Sequence, residues 1–429
     1  MKRELSLPAI DYARHPAFQG LDVRCTLDEE VTGSLAAAID VAYGELSAAG
    51  QAQAHEVEKE FAARISPRIA QLEAYVMTAD LPPALRTMTQ RAMVEAGRFL
   101  LQQAVFLRCR RWEVPDCPVL SDTLKGNLKD LRQEGYVRCA VNGPLAASVW
   151  RRTWWERSML RARAGTSPGR HCAMPLDPHS PAVAAIREAL HSEGILAVAS
   201  AYMECEMEWL YAALDFSHPN QSWYKGCYAD VGLPTSKTVY MHFDADTDII
   251  KAMLYLSDVD AAAGPFRFVR GSHRWRRSPF LFALHKGFDL EQTKCFEMEP
   301  DGLDYKLGYY RPRFHLIESR RDLLTLPSAF RGTTHFGDDI VDGTDLSSQL
   351  LASEEVFTGK AGTMIVFDGS AGIHRGSQVE KGERWAVQIA MRAVASGGGS
   401  SASMLKGLKA RLRYQLFRSK NVITRLLPV

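Results

Sequence analysis

The sequence predicts an α+β protein, and two changes of texture along the chain carry that reading. Up to about residue 120, apolar side chains recur at helical spacing; from Tyr224 onward, short strand-like runs dominate, punctuated by glycine and proline. A third observation bounds the class. With 46% hydrophobic and 24% charged residues, the 429-residue chain has an ordinary globular composition and room for two or three domains. The formal net charge of +2 points to no polyanionic partner, so nucleic acid is not expected. Eight cysteines are scattered without a Cys-x-x-Cys pair, which argues for reduced thiols in a cytoplasmic setting and against a zinc ribbon or a disulfide framework. No run of 18 apolar residues and no signal-peptide core is present, so neither a membrane span nor secretion is expected.

In the first block, Leu35, Ile39, Ala42 and Leu46 share a helical face, as do Met93, Ala96, Leu100, Ala104 and Leu107. Pro82-Pro83 starts the second of these helices. Nothing there concentrates ligands or nucleophiles, so residues 1–120 are expected to form a structural or substrate-shaping helical domain. Arg108, Arg110, Arg111 and Trp112 read as a solvated helix end. The span Leu128–Val141 reads as a helix, a stop at Gly135 and a strand. The aromatic-basic run from Trp150 to Arg157 is expected to serve packing, not base stacking. Helices are expected over Pro181–Glu193 and again around Met203–Leu214.

The stretch from Val239 to Trp275 holds the chain's only His-x-Asp, His242 and Asp244. Residues two apart on an extended strand face the same way, so imidazole and carboxylate would project together as two thirds of a 2-His-1-carboxylate metal site. The run Asp244–Asp248 imitates the start of a calcium loop, but Ile249 stands where that loop needs glycine and Tyr255 where it needs glutamate. The run Ile249–Leu256 alternates, with Lys251, Met253 and Tyr255 on one face; a lysine there must reach solvent or meet an anion. Gly264-Pro265 makes a turn, Phe266–Val269 a strand, and Gly271-Ser272-His273 closes it.

Residues 276–358 form a long, less regular segment with His285, His315 and His335, and are expected to be a lid or substrate-binding insertion. Each of these histidines reads as a surface or hydrogen-bonding residue. Order returns at Gly359, with a strand over Thr363–Phe367, a turn at Asp368–Gly372 and His374 in a short loop. Arg384–Arg392 then alternates as a strand. Taken on their own residues, His374 and Arg384 are either a surface pair or a third metal ligand and a guanidinium able to grip a dicarboxylate.

HFD at 242–244, KAMLYLSDV at 251–259, GPFRFVRGSH at 264–273 and GTMIVFDGSAGIHRG followed by Arg384 together resemble the phytanoyl-CoA dioxygenase-like (PhyH) Fe(II)/2-oxoglutarate oxygenases. The resemblance covers roughly residues 121–395. It implies a double-stranded β-helix, a cupin-like jelly roll with surrounding helices. It also implies Fe(II) on His242, Asp244 and His374, with Arg384 on the distal carboxylate of 2-oxoglutarate. Lys251 and Ser377 become further candidates for the co-substrate. The implied activity is hydroxylation of an unactivated C–H of a small, lipid-linked or carrier-linked substrate by O2, with release of succinate and CO2; a carboxylate at Asp244 disfavours halogenation. Two other readings stand beside it: a catalytically silent jelly-roll binding protein, and a peptide or protein hydroxylase of the cupin type using Lys251 as the 2-oxoglutarate clamp.

After 395 comes a Gly/Ser linker, then Met404–Val429 with seven Lys or Arg and no acid. Leu405, Leu408, Leu412 and Leu416 form one stripe flanked by bases, the pattern of a helix that lies on a membrane surface. Peripheral membrane association through 404–429 is therefore an expectation.

Overall fold

The computed structural model describes residues 10, 12–21, 25–109, 120–139, 142–166, 172–219, 228, 231–244, 248–297 and 320–394. The basic segment 404–429, Arg110 to Trp112 and His315 lie outside them. The described chain opens with α1 (Glu29–Ala48), α2 (Ala54–Arg64), α3 (Ser66–Val76) and α4 (Pro83–Cys109). Asp28 caps α1 by accepting from the N–H groups of Glu30 and Val31. The expected faces are the buried ones: Ile39, Ala42 and Leu46 meet Met93, Ala96, Leu100 and Ala104 in one core. Arg108 corrects the solvated-end reading. It is buried, because the last turn of α4 packs on the α1–α2 connection, where the guanidinium donates to the Gly50 carbonyl at 2.9 Å and to Glu60 at 2.7 Å.

Next, α5 (Asp122–Glu134), capped by Ser121, ends at Gly135 in the left-handed region (φ 86°) and turns directly into β1 (Tyr136–Cys139). Then follow α6 (Gly143–Arg152), α7 (Trp154–Thr166), β2 (Cys172–Pro175), α8 (Pro181–Ser192), α9 (Ile195–Met203) and β3 (Met207–Ser217). Trp150 packs edge-on to Trp385 at 5.9 Å and carries the Arg157 guanidinium over its ring, so packing occupies this part of the aromatic-basic run. The helix expected around Met203–Leu214 is wrong. Here α9 stops at Glu204, itself left-handed (φ 54°), and Met207–Ser217 pairs antiparallel with a strand on each side. A strand covered on both faces shows no two-residue alternation to tell it from a helix.

The chain continues with β4 (Ile249–Tyr255), β5 (Phe266–Val269), α10 (Pro279–Glu297), α11 (Asp345–Ala352), β6 (Glu354–Phe357), β7 (Met364–Phe367), β8 (His374–Arg375) and β9 (Arg384–Ala393). A six-stranded antiparallel sheet runs in the order β1-β7-β4-β9-β3-β2, and a three-stranded one in the order β6-β5-β8. One face of the large sheet, with Ile250, Ala252, Leu254, Trp385, Val387 and Ile389, packs on α6, α8 and α9. From its other face, Met253, Tyr255, Ile365, Phe367 and Ala386 meet Phe266, Phe268 and Phe357 of the small sheet. The alternation expected for Lys251, Met253 and Tyr255 is thus present, with both faces buried.

The segment 276–358 is built into the body of the protein over its described part and does not lie over it as a lid. Phe280, Leu284 and Phe288 of α10 are buried in the α1–α4 core, and β6 is an edge strand of the small sheet. Apolar burial at both ends of the segment outweighs the irregular composition between them. The described cysteines Cys25, Cys109, Cys139, Cys172 and Cys205 are free thiols, and among the described residues no helix is long and apolar enough to cross a membrane.

Candidate metal centre

At one end of the space between the sheets, His242, Asp244 and His374 each offer a ligand atom, all within 4.8 Å of one another, a group that could hold a metal ion. His242 and His374 are not on one regular strand. They face each other across an isolated antiparallel bridge in which each backbone N–H donates to the other's carbonyl at 3.1 Å. The loop expected around His374 is therefore a two-residue strand, clamped between His242 and β5.

The ring orientations follow from backbone acceptors. Nδ1 of His242 lies 2.9 Å from the Tyr240 carbonyl, and Nδ1 of His374 lies 3.1 Å from the Gly372 carbonyl. A carbonyl only accepts, so both Nδ1 atoms carry the proton and both Nε2 atoms are left with a lone pair. Tyr240 is left-handed (φ 66°), an uncommon state for a bulky residue, and its carbonyl serves as the anchor for His242. Nε2 of His242 stands 4.0 Å from Oδ1 of Asp244, and Nε2 of His374 stands 3.6 Å from Oδ2. The Asp244 backbone N–H donates to the Gly369 carbonyl at 2.8 Å, and a Cβ on Gly369 would overlap Asp244 Oδ2.

Lys251, nearly buried, reaches an anion as its position demands: Nζ lies 2.8 Å from Asp244 Oδ1. Burial pushes the Asp244 carboxyl up, but Lys251, His374 and His242 outweigh it and hold the group below the usual carboxylate range. Burial lowers both histidines; His374 and His335 push His242 further down, while Asp244 raises His374. Two neutral imidazoles and one carboxylate are the donor set that suits Fe(II) with open positions. Asp244 Oδ2 is buried without a hydrogen-bond partner among the described residues, an orphan that a cation would satisfy. The residues fit the group.

Arg384 begins β9 on the same face as Lys251: the residue opposite Lys251 is Ala390, six positions along the strand (390 − 384 = 6). Buried, it donates from Nη1 to the Gly264 carbonyl and from Nη2 to Ser217 Oγ at 3.0 Å, while Nε has no hydrogen-bond partner among the described residues. Ser377 is buried nearby, but its hydroxyl lies 2.6 Å from Nε of Arg267 and accepts from it. Sequence reasoning missed Ser217, because β3 reads as helix. It also missed His335, whose ring stacks on His242 at 4.8 Å and 9°, with Asp289 behind it. His285 donates from Nε2 to the Ala329 carbonyl at 2.9 Å, and His273 donates from Nε2 to the Arg132 carbonyl, as a structural turn residue should.

No protein-family model matches the chain, and no curated protein does. Among solved structures, the chain is similar to the non-haem α-ketoglutarate-dependent epimerase SnoN from nogalamycin biosynthesis, at 13% identity and a TM-score of 0.35, covering 63% of this chain and 83% of that one. HygX from Streptomyces hygroscopicus, solved with nickel and 2-oxoglutarate, is 14% identical over 65% of this chain and 88% of that one, with a TM-score of 0.34. EctD from S. alaskensis with bound Fe is 14% identical over 66% of this chain and 80% of that one, again at 0.34. These likenesses are distant, and the functional reading rests on the residues of the site.

Proposed function

We propose that the protein is a mononuclear non-haem Fe(II)/2-oxoglutarate-dependent oxygenase of the jelly-roll, phytanoyl-CoA dioxygenase-like kind, hydroxylating a small, lipid-linked or carrier-linked substrate. The observation that carries this is the convergence of His242, Asp244 and His374, drawn from two segments far apart in sequence, with both Nδ1 atoms committed to backbone carbonyls. Iron with bound 2-oxoglutarate supplies the oxidising chemistry, in which ketoacid, O2 and R–H give succinate, CO2 and R–OH. The chain's own residues bind and orient. His242 and His374 offer Nε2 and Asp244 a carboxylate oxygen to the iron. Arg384 offers its guanidinium, with an unsatisfied Nε, to the distal carboxylate of the ketoacid. Lys251 pairs with Asp244 Oδ1 and is a second candidate for the co-substrate; Ser377, beside Gly264, is a third. The apolar side chains between the sheets exclude water from the reacting centre.

A catalytically silent ligand-binding protein is the second reading, favoured by one observation: Lys251 already satisfies Asp244 Oδ1. Anaerobic titration with Fe(II) and 2-oxoglutarate separates the two. An oxygenase gives a metal-to-ligand charge-transfer band in the visible and forms succinate once O2 is admitted; neither signal appears with a silent binder. Arg384→Ala should weaken 2-oxoglutarate binding and leave Fe(II) binding intact. Unchanged affinity in that variant, with loss in Lys251→Ala, would move the clamp to Lys251.

A further inference from the structure

Beside the triad, four contacts converge on Asp289, a carboxylate of α10 that is 12% exposed and that the proposed chemistry does not use. It accepts from the Thr334 backbone N–H at 2.8 Å and from the Thr333 and Thr334 hydroxyls, and its Oδ2 lies 3.8 Å from Nδ1 of His335. The strap it grips, 333–337, is itself bonded to the ligand segment. Phe243, between His242 and Asp244, donates its N–H to the Thr334 carbonyl at 3.0 Å, and the Gly337 N–H donates to the Met241 carbonyl at 3.0 Å. From the same strap the His335 ring lies parallel on the His242 ring. On its other side α10 is fixed to α4, since Gly287 sits so close to the Ala92 carbonyl that a Cβ would overlap it. The burial of a carboxylate is costly unless several donors meet it, and here three donors lie on the strap.

We propose that Asp289 is a positioning residue for the metal centre: by fixing 333–335 it sets the plane of the His242 ring, through His335, and the backbone between the two ligands, through Thr334. This rests on the reading of His242, Asp244 and His374 as a metal centre. A ligand imidazole binds well only when its ring plane contains the metal direction. His242 has one ring edge held by Tyr240 and one face covered by His335. The helical block therefore reaches the iron site by a short physical chain, α4 to α10 to Asp289 to the strap.

The test is Co(II) titration of the full metal-free chain, followed by the ligand-field absorption of the bound ion. Asp289→Ala and His335→Ala should each weaken Co(II) binding about 10–100-fold and shift the ligand-field band. His335→Phe, which keeps a flat ring on His242, should recover most of the affinity. Co(II) bound as tightly as by the parent, with an unshifted band, in both alanine variants would overturn the proposal. If near-ultraviolet circular dichroism shows Asp289→Ala unfolded, His335→Ala and His335→Phe decide on the same outcomes. Absence of Co(II) binding by the parent chain would instead bring down the metal-centre reading, and the proposal with it.

Discussion

Gly369 shows how little room the triad leaves. Its carbonyl holds the Asp244 N–H, and any side chain there would strike the Asp244 carboxylate, the oxygen donor of the proposed metal centre. Gly369→Ala should therefore fold but lose metal affinity by about 10–100-fold, measured by Co(II) or Fe(II) titration against the parent. At this scale the sequence was informative where chemistry is local. His242 and Asp244 stand two apart, and an unpaired lysine on a buried strand face demands an anion, which Lys251 finds in Asp244. It was silent where partners are remote. Nothing near His335 marks it as a neighbour of His242, and Ser217 comes within hydrogen-bond reach of Arg384 through the pairing of β3 with β9.

Among elements, the hand-over from α5 to β1 depends on Gly135. Its φ of 86° suits glycine, and a Cβ would crowd His273 and Phe268. Gly135→Ala should lower stability by about 1–3 kcal/mol, read by denaturant unfolding, since strain and overpacking act together. This junction was legible because a glycine after a helical pattern is a stop signal, and β4 and β9 were legible from their alternation. Other elements were not. The strand β3 mixes apolar residues with Glu208, Asp215 and Ser217 and shows no two-residue period, while α10 is a helix seated in a distant core. The long segment read as a lid or substrate-binding insertion because loops of that length usually are; the burial of its first helix, α10, against α4 is a tertiary fact.

For the whole molecule, His15 and His218 are buried and His273 is partly buried outside the triad. Burial pushes His15 down to about 4, and His273 and His218 are also lowered by burial. The unfolded chain then binds protons that the folded chain refuses, so stability is fully present above the ordinary histidine range and lost as pH falls from about 6.5 towards about 4. The melting temperature of the metal-free protein should drop across that window; a flat profile would mean these imidazoles stay solvated. The α+β class and the order of the motifs were readable at this scale. The sharing of one core between α1–α4 and α10 was not, because it depends on contacts across some 195 positions, Ala92 to Gly287 (287 − 92 = 195).

The reciprocal bridge between His242 and His374 joins segments 374 − 242 = 132 positions apart. A cation held by both rings would act as a removable cross-link, closing a loop as long as those that the most effective disulfides close. By the chain-entropy estimate such closure is worth about 4–5 kcal/mol against the unfolded state.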